Sequence, residues 1–153
     1  MPVAILNRQR KYRVATAELR DVAERILEAL GCAEAELTVT LVSDRRMRAL
    51  NRDYRDQDEP TDVLSFPQEG DDAPPSAPGA PKLLGDVVLA VETALRQAAP
   101  NAAEPGRALF KELCFLMLHG VLHLVGHRHD GEADARAMRA EHDRIAALLP
   151  TWE

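Results

Sequence analysis

Apolar positions recur along this chain with periods that change from segment to segment, and those periods predict its elements. Residues 3–6 form a short apolar run that reads as a first strand, followed by a loop carrying Arg8, Arg10, Lys11 and Arg13. Over residues 16–30, Leu19, Val22, Ala23, Ile26, Leu27 and Leu30 recur at helical spacing, and Gly31 supplies a stop. Residues 37–42 alternate apolar side chains with Thr38 and Thr40, the pattern of a half-buried strand. Asp44 is placed to cap a short helix that runs to about Arg55. Residues 58–62 read as a turn, and residues 63–66 as a short strand closed by Pro67.

Prolines and glycines interrupt residues 68–82 throughout, so this stretch is expected to be a mobile loop within one domain. Residues 84–91 are nearly all apolar except Gly85 and Asp86, which predicts a central strand buried on both faces. A helix over residues 92–99 ends before Pro100. Pro105 opens the next helix, whose Leu109, Phe110, Leu113, Phe115, Leu116 and Met117 lie on almost every side, as in a buried central helix. Residues 132–149 form a last helix with Met138, Ile145 and Leu149 toward the core, while His142, between Glu141 and Asp143, reads as solvated. The pattern amounts to an α/β (α+β) chain of about four strands and about five helices.

Bulk properties narrow the classes. A length of 153 residues with 46% hydrophobic content is that of a single domain, taken as residues 1–153. The net charge of −6 argues against a generally basic nucleic-acid coat and leaves room for a local cationic patch. Cys32 and Cys114 match no zinc or redox spacing and read as reduced thiols, which fits the cytoplasm. The apolar run precedes the basic cluster at the N-terminus, the wrong order for a secretory signal, and no apolar stretch is long enough to span a membrane.

Two features carry chemistry. On the helix after Asp44, Met47, Leu50 and Tyr54 share one face while Arg45, Arg48, Arg52 and Arg55 line the opposite one. Guanidiniums in such a ridge suit phosphate oxygens, so it is a candidate track for a nucleic-acid backbone; the alternative is a solvated face neutralised by Asp44, Asp53, Asp56 and Asp58. The second feature spans residues 119–130, which hold four of the five histidines. His119 and His123 project from one helix face, and Gly126 can end the helix and turn a third imidazole toward them. The spacing from His119 through His123 and Gly126 to His129 matches the metzincin zinc frame, in which three histidines leave one position open for water. Those peptidases carry a glutamate as general base directly after the first histidine, where this chain has Gly120.

Three blocks together resemble one family, the YbeY-type endoribonucleases, which are bacterial rRNA maturation factors. Leu50-Asn51 with Tyr54-Arg55 leads into Pro60-Thr61-Asp62-Val63-Leu64-Ser65-Phe66-Pro67; Leu84-Gly85-Asp86 opens a strand; and His119-Gly120-Val121-Leu122-His123-Leu124-Val125-Gly126 precedes the third histidine. The resemblance implies a compact domain with a small, mostly parallel mixed sheet, and one zinc ion per chain held by His119, His123 and His129. It implies single-strand-specific RNA cleavage in the maturation of small-subunit rRNA at the 16S 3′ end and in ribosome quality control. The partners it implies are RNA and the small ribosomal subunit with its proteins, rather than DNA or a membrane. Arg55 takes the place of the family's catalytic arginine, with Arg45, Arg48 and Arg52 as further substrate contacts. After Gly126 the family reads Tyr or His, then Asp, then the ligand histidine; here Arg128 stands in place of that Asp and Asp130 follows. His127 is therefore a rival third ligand. Two other readings stay open: a non-catalytic ribosome-assembly factor with structural zinc, and a metallopeptidase.

Overall fold

The structure, a computed structural model, describes residues 3–55, 61–67, 83–98, 104–127 and 131–149. The loop expected over residues 68–82 lies outside them, as does His129. Of Arg55 only the backbone is described. Among the described residues the chain runs β1 (Val3–Asn7), α1 (Thr16–Ala29), β2 (Glu36–Val42), α2 (Asp44–Arg55), β3 (Val63–Pro67), β4 (Leu83–Ala90), α3 (Val91–Gln97), α4 (Pro105–Leu124) and α5 (Glu132–Ala146). The four strands form one sheet in the order β1-β2-β4-β3. Strands β1, β2 and β4 run parallel, and β3 pairs antiparallel with β4 at the edge. This is the mostly parallel mixed sheet that was expected, with Pro67 at the last position of the edge strand, where a missing N–H is tolerated.

Alternation decides which strand residues face which layer. Leu37, Val39 and Leu41 of β2 and Val87 and Leu89 of β4 are buried in the main core with α1 and α4. Among the described residues the opposite sheet face is covered at one end, where α2 sets Met47 against Val42, Leu64, Val88 and Ala90. Helix α4 buries ten of its 20 residues between Leu109 and Leu122, while Phe115, which the pattern counts with the buried set, is exposed on the side toward α5. The site histidines are thereby built on the most deeply packed helix of the fold.

Two helix starts are tied together in a way the sequence reading did not anticipate. Asp44 does not cap its own helix: Ser43 does, its Oγ accepting from the Arg46 N–H at 3.2 Å. The Asp44 carboxylate instead accepts from Thr93 N–H (3.1 Å), the Thr93 hydroxyl (2.7 Å) and Arg96 (2.6 Å) on α3, and Glu92 reciprocates by accepting from Asp44 N–H at 2.9 Å. Partial burial opposes the charge on Asp44, but the hydrogen bonds from Arg96 and Thr93 outweigh it and hold the carboxyl below its ordinary range. Asp44→Ala is expected to cost about 1–2 kcal/mol in urea denaturation. Because the folded-state value is depressed, Asp44's contribution is fully present above the ordinary carboxylate value near about 4 and is lost as pH falls through the folded value. The parent should lose more stability than Asp44→Asn between about pH 5 and pH 3.

Helix α5 carries a second departure. His142 is half-buried against Phe115 of α4, ring centroids 4.6 Å apart, and its Nε2 is buried with no hydrogen-bond partner among the described residues. The alternating charges of Glu141 and Asp143 suggested solvent, yet residue 142 falls one turn after the buried Met138, on the packed side of the helix. Burial pushes the His142 imidazole below its ordinary value. The unfolded chain then binds the proton more readily, so stability falls as pH drops through about 6.5 toward the lower folded value. Thermal melts should show that decline in the parent between about pH 7 and pH 5, and His142→Leu should flatten it.

Candidate active site

The histidine pair comes from the last turns of α4. His119 and His123 are four residues apart, and their Nε2 atoms approach to 3.1 Å with ring centroids 4.6 Å apart and planes at 76°. The helix then stops in a paired hydrogen-bond motif: Gly126 N–H donates to His123 O at 3.1 Å and His127 N–H to Leu122 O at 3.0 Å. Gly126 has φ +106°, a backbone conformation that side chains disfavour, and the helix ends just before it, as the sequence leads one to expect.

Two nitrogens bound to one tetrahedral zinc at about 2.0–2.1 Å stand about 3.3 Å apart. The pair therefore fits two adjacent positions around such an ion. Among the described residues no group of three or more His, Cys, Asp or Glu side chains comes together, so His127 is not gathered with the pair. On α5, Glu141 is held below its ordinary range chiefly by its hydrogen bond from Arg144.

Around the histidines is a cleft of about 570 Å³ lined from three directions. Helix α4 supplies His119 and His123, β3 and the residues before it supply Thr61, Asp62 and Ser65, and α2 supplies Tyr54. Ser65 is not available as a nucleophile, because its hydroxyl donates to Gly120 O at 2.9 Å and pins the edge strand to α4. Gly120 itself is buried against the sheet: a Cβ there would stand 2.8 Å from Val87 Cγ1. The position that carries the base in the peptidase frame thus faces β4, not the cleft. Asp62 lines the cleft near Glu112, whose carboxyl is raised by burial and secondarily by the charge on Asp62. Cys114 is a buried free thiol, in keeping with the reduced thiol that its spacing suggests, and burial pushes it up to about 12.

Arg45, Arg48 and Arg52 are exposed on α2 but line neither this cleft nor the larger one beside it, and Arg52 pairs with Asp53 at 3.3 Å. The arginine of α2 that does line the neighbouring cleft is Arg46, joined by Arg8 from the N-terminal basic cluster. Another member of that cluster, Lys11, pairs with Glu92 at 3.4 Å. Periodicity groups Tyr54 with the buried Met47, yet it is 69% exposed, because its ring meets Phe66 of β3 by an edge contact and is otherwise largely uncovered. Asp62 and Tyr54 both lay inside the motif blocks, which were the available signal; their spacing alone assigned them no role.

Comparison with known proteins agrees with this architecture. The family model described as Endoribonuclease YbeY matches residues 4–149. Endoribonuclease YbeY of Geobacter metallireducens is 45% identical over 152 residues, covering 97% of this chain and 96% of the relative. The protein of the same name from Thermus thermophilus is 38% identical over 146 residues, covering 95% and 99%. The solution structure of TM1509 from Thermotoga maritima shares the fold, with a TM-score of 0.55 at 24% identity over 95% of this chain and 90% of that one. These matches place the chain among hydrolases that cut within RNA. It belongs to the Endoribonuclease YbeY family.

Proposed function

We propose that this endoribonuclease is zinc-dependent, cuts single-stranded RNA, and acts in the cytoplasm on small-subunit rRNA, at the 16S 3′ end and in ribosome quality control, in company with ribosomal proteins. The observation that carries the metal reading is the convergence of His119 and His123 Nε2 at 3.1 Å inside a cleft open to substrate. The third ligand is taken to be His129, which the turn at Gly126 can return toward the pair. When bound there, zinc supplies a Lewis acid and a water of lowered pKa.

The chain's own residues do the rest. His119 and His123 present their Nε2 atoms from a well-packed helix, so the site needs little reorganisation. Arg55, at the end of α2, neutralises charge developing on the scissile phosphate, and Arg45, Arg48 and Arg52 make outlying backbone contacts. Arg55→Ala is expected to lower cleavage about a hundredfold while leaving bound zinc unchanged. Unaltered RNA processing in that variant would favour a non-catalytic assembly factor.

The deciding experiment couples metal analysis of the purified protein to cleavage of matched single-stranded and duplex RNA, with the product ends identified. Zinc near one per chain and cleavage confined to the single strand are expected. A 2′,3′-cyclic phosphate would replace direct hydrolysis by attack of the RNA 2′-hydroxyl. In cells, loss of the protein should accumulate 16S precursors extended at the 3′ end, and normal 3′ ends would remove the rRNA assignment.

A further inference from the structure

A second cleft, of about 820 Å³, lies beside the histidine cleft, on the sheet face that α2 covers at one end. Its cations are Arg8 and Arg46, with Asp86 the one carboxylate among the described residues that line it. Tyr54 and Phe66 belong to both clefts and form the divide between them. Phe66 is anchored, since it packs against the apolar cluster beneath α2. Tyr54 stands on it at 5.5 Å between ring centroids and 69° between planes, and this edge contact leaves the Tyr54 side chain largely uncovered. An anchored aromatic ring with open surface, placed between a cationic cleft and a candidate metal centre, has the features of a nucleobase platform.

We propose that Tyr54, held by Phe66, stacks on one unpaired base of the substrate strand where the strand passes from the sheet cleft into the histidine cleft. The inference rests on the RNA reading above and adds a subsite to it. Every base has a π-face, so the contact fixes the strand's position without selecting its sequence. It also demands a base free of its duplex neighbours, which gives a preference for single strands a physical cause.

The test measures binding by fluorescence anisotropy with a 2′-O-methyl octamer, its integrity checked after each titration. Tyr54→Ala should bind about 5- to 150-fold more weakly than the parent. Tyr54→Phe and Tyr54→Trp should stay within about threefold of it, and Tyr54→Leu should resemble Tyr54→Ala, since a flat ring is what counts. Against an octamer that lacks all its bases, parent and Tyr54→Ala should bind alike. Parent-like binding by Tyr54→Ala overturns the platform, as does Tyr54→Phe binding as weakly as Tyr54→Ala or a deficit that persists on the abasic strand. Thermal melts separate loss of the ring from loss of the fold. A parent that binds no octamer at all sinks the RNA reading as well, whereas insensitivity to Tyr54 with RNA bound sinks the platform alone.

Discussion

Replacing His123 by alanine is expected to remove bound zinc and to reduce RNA cleavage to background, a loss of at least about 10³-fold if the metal supplies the nucleophile. The reason is geometric. His119 and His123 offer two nitrogens 3.1 Å apart, close to the spacing a tetrahedral ion requires, and a single remaining imidazole on α4 cannot chelate. His119→Ala should match it. Both side chains are only half-buried and face a cleft, so neither variant leaves a large void in the core, and each should melt within a few degrees of metal-free parent. That comparison separates loss of the ion from loss of the fold. His127→Ala should keep its zinc, because His127 is not gathered with the pair. Zinc would be measured by mass spectrometry after gel filtration, and cleavage on a labelled single strand. Full zinc in His123→Ala would remove the metal centre from α4, and full zinc in His129→Ala would overturn the third-ligand assignment while sparing the first two.

Much of this arrangement was legible from periodicity, and the exceptions share a cause. The alternation in β2 and the nearly continuous apolar run of β4 identified a half-buried and a central strand, because a strand's two faces report its surroundings at every second residue. The i, i+4 histidines and the turn at Gly126 were readable for the same reason, as all three are local. What periodicity cannot report is where a packing partner ends. It placed Tyr54 on the face of Met47, but there the ring meets Phe66 of β3 by an edge contact and stays largely exposed. His142 errs in the opposite direction, since its charged neighbours suggested solvent while Phe115 across the helix pair covers its ring. Asp44 shows a third form of the limit. Its type and place suited a cap on α2, and the partner it caps is α3, 49 residues on. The motif blocks identified the family because they record several such long-range contacts at once.

Gly120 is where fold and site are most tightly coupled, and its substitution should have the second large effect. The position is in mid-helix, where alanine would ordinarily gain about 1 kcal/mol over glycine. Here the added Cβ stands 2.8 Å from Val87 Cγ1 and 3.2 Å from both Ser65 Oγ and Val63 Cγ2. Val87 is β-branched, fully buried and in the central pair of strands, so it cannot swing aside, and displacement would also strain the Ser65 bond to Gly120 O. Overpacking of this kind costs about 1–3 kcal/mol and should exceed the propensity gain, so Gly120→Ala should lower the urea midpoint. Val87→Ala in that background should cost less than it does in the parent, because it vacates the space the new methyl needs; strict additivity would show that the clash is not the cause. Gly120→Glu, which restores the residue of the peptidase frame, should create no peptidase. It would drive a carboxylate into the contact between α4 and β4 at a cost above about 4 kcal/mol, enough to unfold a domain of ordinary stability. A folded Gly120→Glu protein that cleaves peptides would overturn both the packing argument and the choice of RNA over peptide.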